Sequence, residues 1–334
     1  MHTIRFPHDF ARPDDQRAST ELVISIAILL AGLAVPALFP GSLLSFVAGT
    51  IFIAVGILRL YSIQHDCGHY SYFSHRPLNT WVGNGISVFS GIAHSVLRHN
   101  HNLHHAHLSD LRHRDVHEIF VMTAQEYSNA STAKKIYYRI YRHPLTLFLL
   151  GPFIIYFIRY RWPRNTKDVS VLDVLLQNIA MFSFWGAIVL FLGWWPFFSL
   201  MAASFLAGSL GIFTVYVGHN FEHTHWERPD RLNIRTAALS GASSLRLGKW
   251  FDFTLLNFGF HDLHHYNTRI PCYHLKACND AIGSGWNQAT LGPCEAIASL
   301  KWRLWDEERR IMIPFQTTFL QDVFSGNGRF ALKP

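Results

Sequence analysis

Four stretches of this chain are too long and too apolar for ordinary surface helices, and they constrain everything else. They are LVISIAILLAGLAVPALF (22–39), SLLSFVAGTIFIAVGILRLYSI (42–63), VLDVLLQNIAMFSFWGAIVLFLG (171–193) and FFSLMAASFLAGSLGIFTVYVG (197–218). A helix of about 20 apolar residues crosses a bilayer. Pro40-Gly41 joins the first two stretches; Trp194, Trp195 and Pro196 separate the last two, with tryptophans where a membrane interface favours them. The pattern predicts two membrane hairpins. Only 15% of the residues are charged, against roughly 25% in a soluble domain. The formal charge of +7 comes without a basic stripe or a nucleic-acid motif. It fits basic residues flanking apolar spans at an anionic membrane surface.

Charge also predicts sidedness. The two hairpin turns lack Lys and Arg, whereas the other segments are basic: Arg5, Arg12 and Arg17; Arg112, Arg114, Lys134, Lys135, Arg139 and Arg142; Arg159, Arg161, Arg164 and Lys167; Arg228, Arg231, Arg235, Arg246 and Lys249. The positive-inside rule puts all of these on the cytoplasmic side. The shorter segment 144–160, broken at Gly151-Pro152, must then dip in and return or lie in the interface. The fold expected is an all-α membrane protein: one domain, 1–334, of four transmembrane helices in two hairpins, with a cytoplasmic helical cap from 64–142 and 219–334. Cys67, Cys272, Cys278 and Cys294 form no CxxC pair and read as reduced. The N-terminus, with prolines and acids before any apolar run, does not read as a cleaved signal peptide.

The chain's 21 histidines cluster: HDCGH (65–69) leaves the second span, HNLHH is 101–105, HNFEH (219–223) leaves the fourth span, and HDLHH is 261–265. All four clusters fall on the predicted cytoplasmic side. On a helix, positions i, i+3 and i+4 share a face, so HxxxH aims two imidazoles one way and HxxHH three. Neutral imidazole is the commonest side-chain metal ligand. About ten such groups exceed the four of a usual structural site, so two metals are the natural reading. Imidazole suits Zn, Cu, Fe and Ni alike. A polynuclear site against a membrane suits a redox metal activating oxygen towards a lipid chain. A zinc hydrolase stays open, with Glu222 or Asp262 cast as general base.

With these boxes in place, the chain resembles the membrane fatty acid desaturases, in pattern the bacterial and cyanobacterial acyl-lipid desaturases. The resemblance rests on HDCGH followed by YSYF, HNLHHAH continuing to EIFVMTAQEY, YVGHNFE, HDLHHYNTRIPCYHL and LWDEE, over about residues 60–315. It implies an oxygen-dependent double-bond insertion into a lipid alkyl chain at two irons (Fe2+/Fe3+), with O2 as co-substrate. The ligands it implies are His65, His69, His101, His104, His105, His219, His261, His264 and His265. His223, one turn past His219, would be a ligand, a water-mediated partner or outer support. The chain departs from the family at Asp115 and His117, where glycines are usual. Carboxylates that would orient the imidazoles are Asp66, Glu118, Glu222 and Asp262. No catalytic group separate from the ligands, and no organic cofactor site, is expected.

The remaining histidines have weaker arguments. His94, His99 and His107 lie beside the second box but off its pattern, and His75, His113, His117, His143, His225 and His274 are read as non-ligands. No GxGxxG follows a strand and no haem-binding module is fused, so electrons must come from an external ferredoxin or small haem protein, for which Lys134, Lys135, Arg139 and Arg142 offer a basic surface. The alternatives are an alkyl or carotenoid hydroxylase or ketolase of the same superfamily and, from another class, a histidine-rich metal transporter. The transporter needs polar ligands inside the spans, which hold almost none apart from Asp173, Gln177 and Asn178. The expected location is a bacterial inner membrane, with the active site on the cytoplasmic side.

Overall fold

The computed structural model describes residues 8–114, 119–162, 168–283, 286 and 289–324. The basic residues Arg5, Arg164 and Lys167 lie outside that set. Among the described residues, four helices are long and apolar enough to cross a membrane: α1 (Asp15–Leu38), α2 (Leu43–Gly68), Val171–Leu192 and Trp194–His219. Each starts at a local signal. Asp14 caps α1 by accepting from the Gln16 and Arg17 amides, Ser42 caps α2 through the Ser45 amide, and Ser170 caps the third through the Asp173 amide. Gly193, at φ 91°, supplies the left-handed link between the last two helices.

α1 and α2 pack at backbone distance. A Cβ on Gly49 would sit 2.8 Å from the Gly32 carbonyl, and one on Gly56 would sit 2.8 Å from Leu29. Close approach through small residues is how apolar helices associate where water gives no driving force. The same helices carry a buried ion pair, Arg59 of α2 with Glu21 of α1. Arg59 also donates to the Phe253 carbonyl, and so ties the spans to the part of the chain beyond them. The polar residues of the third helix act similarly: Gln177 donates to the Ser87 carbonyl, and Asn178 accepts from the buried Arg161.

Two helices run past the C-terminal ends that the apolar patterns indicated. α2 continues through His65 to Gly68, and the fourth long helix continues through His219. The first and third histidine clusters therefore project from the ends of rigid helices. α3 (Arg76–Ser90) leads back to α4 (His94–Ala106), which carries the second box. The fourth box forms its own short helix, His261–Tyr266. One apolar core, including Ile53, Ile57, Leu60, Ala203, Phe260 and Leu263, joins these parts.

The segment 144–160 is a π turn, Thr146–Leu150, followed by a short helix, Gly151–Phe157, the whole bent 64° from the preceding helix Thr132–Tyr141. It packs on the fourth long helix, where Ser209 donates to the Phe148 carbonyl at 2.7 Å. The chain is mostly helical as expected, but an all-α description misses five short strands among the described residues. Parallel β1 (Met122–Thr123) and β4 (Leu304–Asp306), with antiparallel β5 (Ile311–Ile313), form one sheet. β2 (Ser244–Leu245) and β3 (Thr290–Leu291) pair in parallel. These pairings staple distant loops and are too short to leave a periodic signature.

Candidate metal centre

Nine histidines from four segments meet in two adjacent groups. His65, His69, His101, His105 and His264 place one ring nitrogen each within 4.8 Å of all the others, and so do His104, His219 and His265. His261 joins the second group, its Nε2 lying 2.9 Å from His219 Nε2 and 3.0 Å from His265 Nε2. All nine imidazoles that the resemblance implied are brought together. They do not face one way, however. Each HxxHH box divides, because positions i and i+4 lie nearly in line on a helix while i+3 lies to one side.

The chemistry of the groups can be read from their contacts. His65 Nδ1–H donates to the Asp66 carboxylate at 3.1 Å, and His219 Nδ1–H donates to the Gly241 carbonyl at 2.9 Å. Each Nε2 is then left with a lone pair. His101 Nε2 faces His65 Nε2 at 2.6 Å and His105 Nε2 at 2.8 Å, and His264 Nε2 lies 3.1 Å from His105 Nε2. One N–H cannot serve two such neighbours. His69 Nε2 is buried beside them without a hydrogen-bond partner. Burial, reinforced by the neighbouring imidazoles, holds His69, His101, His105, His261, His264 and His265 well below the usual histidine range. Neutral rings with converging lone pairs fit metal ions, one per group.

The carboxylates divide. Asp66, besides holding His65, accepts from the Cys272 amide. It therefore links the first box to the chain beyond the last. Asp262 touches no imidazole; it accepts from Ser244 Oγ, from Trp286 Nε1 and from the Leu263 amide. It anchors the helix that bears three of the histidines instead of orienting a ring. Glu222 and His223 are both exposed, in the turn that leaves the fourth helix, and stand outside both groups. Glu118 and His117 lie outside the described residues. His94 is buried against Gly83, away from the centre, and burial pushes it down to about 4. His99 is half-buried.

Two features were not legible in the sequence. The Gly241 carbonyl fixes His219 from 22 residues away. Arg142, expected on a docking surface, is fully buried and donates to Asn220 Oδ1, Tyr216 Oη and the Phe120 carbonyl. Arg139 is likewise committed, to Asp322 and Thr317. Of the four basic residues proposed for docking, only Lys134 is exposed. An arginine in a basic run looks the same in sequence whether it meets solvent or a carbonyl cage.

An apolar cavity of about 200 Å³ runs between α2, the 146–160 segment and the fourth long helix, with Ile57, Tyr61, Leu147, Ile155 and Ile212 in its wall. A smaller cleft of about 20 Å³ has His104, His219, Val121, Asn220, Arg142 and Trp226 in its wall. The two share Ile119 and Val215. The apolar space thus adjoins the second histidine group.

Comparison with known proteins adds a common ancestry to this geometry. A family model described as fatty acid desaturase matches residues 40–291. A fatty acid desaturase of Bacillus subtilis is 31% identical over 277 residues, covering 82% of this chain and 79% of that protein. An sn-1 oleoyl-lipid 12-desaturase of Arthrospira platensis is 22% identical over 269 residues, 79% of this chain and 75% of the relative. An sn-1 acyl-lipid omega-3 desaturase (ferredoxin) of Synechocystis is 25% identical over 260 residues, 71% of this chain and 65% of the relative.

Proposed function

The chain belongs to the fatty acid desaturase family, a family of oxidoreductases, and from that premise we propose that it inserts a double bond into the acyl chain of a membrane lipid at two iron ions. His65, His69, His101, His105 and His264 would hold one ion; His104, His219, His261 and His265 would hold the other. Bound there, the irons would supply the reduction of O2 that drives removal of two hydrogens from neighbouring methylenes. One observation carries the reading: two adjacent groups of converging imidazoles stand together, and the second of them adjoins an apolar cavity that would take an alkyl chain.

The protein's own part is positional. Helix ends set the imidazoles, Asp66 and the Gly241 carbonyl fix two of the rings, and Phe258 stacks its edge against His65, 4.4 Å between centroids. Burial keeps water from the reacting carbon, and the cavity wall holds one C–C bond beside the second group. A zinc hydrolase is disfavoured because neither carboxylate named for it is placed as a base: Asp262 is engaged by Ser244 and Trp286, and Glu222 stands outside both histidine groups.

In this reading the four long helices form two membrane hairpins. Residues 64–142 and 219–334 form the cap of a single domain on the cytoplasmic face of a bacterial inner membrane, and 144–160 dips into the bilayer and returns or lies in its interface. The lysine- and arginine-free turns at 39–42 and 193–196 support that sidedness. The electron donor in this reading is an external carrier of the ferredoxin or small haem type; the name of the Synechocystis relative gives ferredoxin for that protein.

The test is expression in a bacterium with simple lipids, with iron, oxygen and a reduced ferredoxin supplied, followed by mass spectrometry of the fatty acids. New unsaturated chains and two irons per protein are expected. Oxygenated chains would make the protein a hydroxylase, and an unchanged lipid profile in iron-loaded membranes would overturn the proposal.

A further inference from the structure

A third cluster of metal-competent side chains lies just past α4 and shares no residue with the nine histidines. His107, Asp110 and His113 each place one ligand atom within 4.8 Å of the other two. His107 is the C-cap of α4. Asp110 Oδ2 accepts from His113 Nδ1–H at 2.7 Å and lies 3.7 Å from His107 Nδ1. The other carboxylate oxygen accepts from the Arg112 amide at 2.8 Å. The two imidazole rings are 4.2 Å apart.

The cluster is held in place from outside. The Leu111 amide donates to the Glu227 carbonyl at 3.0 Å, and the Glu227 amide donates to the Ser109 carbonyl at 2.9 Å. Glu227 is in turn fixed by Arg310 at 2.7 Å. Asp110 is buried, whereas the two imidazoles are partly open to solvent. The geometry therefore presents two nitrogens and one anionic oxygen on a braced turn, with room for water in the remaining positions.

We propose that His107, Asp110 and His113 bind a divalent first-row transition metal ion of the zinc type, separate from the pair held by the nine histidines. Two imidazoles and a carboxylate are an established donor set for such ions with open positions. The ion would sit at the C-terminal end of α4, where the helix dipole favours positive charge. Coordination takes the place of the His113–Asp110 hydrogen bond, with His113 offering the Nδ1 lone pair of its other tautomer. A hydrogen bond alone needs one imidazole; the second imidazole beside the same oxygen is what makes the group a chelate. An ion there would fasten the end of the helix carrying His101, His104 and His105 to the turn at Asp110–His113, which the backbone of Glu227 already braces.

The experiment uses the full chain in detergent, loaded with iron and dialysed against micromolar Zn2+, with zinc and iron measured together. One zinc per chain at unchanged iron content is expected. His107→Ala and His113→Ala should each lower zinc affinity by at least about tenfold, the smaller end of what losing even an outer partner costs. His143→Ala, at an exposed position outside the cluster, should leave uptake unchanged. X-ray absorption at the zinc edge of the unmutated protein should show a nitrogen and oxygen shell with two imidazoles, a result that depends on no variant folding. No zinc uptake, zinc gained only as iron is lost, or full uptake by both histidine variants would overturn the site. Zinc bound through this cluster in a protein that takes up no iron would support it while removing the di-iron reading.

Discussion

The two HxxHH boxes, HNLHH on α4 and HDLHH on the helix His261–Tyr266, mirror one another. The first commits its i, i+4 pair, His101 and His105, to one metal group and His104 to the other. The second commits His264 to the first group and its i, i+4 pair, His261 and His265, to the second. Each box therefore straddles both groups. His65 and His69 complete the first group, and His219 completes the second. The groups differ in support and outlook. A carboxylate braces the first and the apolar cleft leaves it alone; a backbone carbonyl braces the second, and two of its members line the cleft. In the proposed reading, that difference would make the first group an anchor and the second the one beside the acyl chain.

The largest effect that could break this comparison is loss of a crossing ligand. His104→Ala and His264→Ala should each abolish turnover and lower bound iron from about two towards one, with the remaining ion in the group that kept its full set. Mössbauer spectra of the two variants should differ. Identical residual spectra would mean the groups are not divided as described.

Next in size is Asp66→Asn. Loss of the acceptor for His65 Nδ1–H should weaken iron binding about 10- to 100-fold, as outer partners of metal-bound histidine generally do. Asp262→Asn should weaken it far less, because Asp262 contacts Ser244 and Trp286 instead of an imidazole. Metal titrations of the two variants, side by side, decide whether a neighbouring carboxylate or a ring contact is what matters.

A third change acts on the substrate side. Trp226→Ala enlarges the cleft beside His104 and His219, and should shift the double-bond position or preferred chain length while turnover falls only about tenfold or less and iron is retained. Product analysis by mass spectrometry reads this directly. An unchanged product would detach the cleft from the acyl chain.

The smallest effect concerns a histidine outside both groups. Burial, with Arg98 adding to it, lowers His94 from its ordinary value to about 4. The unfolded chain then binds the extra proton between about 6.5 and 4. The stability that neutral His94 permits is present above the unfolded value and lost as pH falls. His94→Asn should flatten the fall in melting temperature between those pH values, by a few degrees at most. Melting curves of the metal-loaded protein at pH 7 and pH 5 make the test.

Much of the centre was legible because helix periodicity is local. An imidazole at i and another at i+4 meet on one face whatever the rest of the chain does, and the long apolar runs announce themselves. What was not legible depends on partners far away in sequence. Asp262 and Glu222 look like Asp66 on paper, yet one binds Ser244 and Trp286 and the other meets solvent. Arg142 and Lys134 belong to one basic run, and only the fold puts the arginine in a cage of Asn220, Tyr216 and a carbonyl.

The sequence by itself determined the four apolar helices and the histidine boxes, since both follow from residue type and a period of 3.6. The tertiary structure alone decided which imidazole joins which group, which carboxylate supports a ring, and that His107, Asp110 and His113 converge. Those outcomes depend on the angles at which α2, α4, the fourth long helix and the His261–Tyr266 helix meet. Packing over the whole core sets those angles, and no local pattern records them.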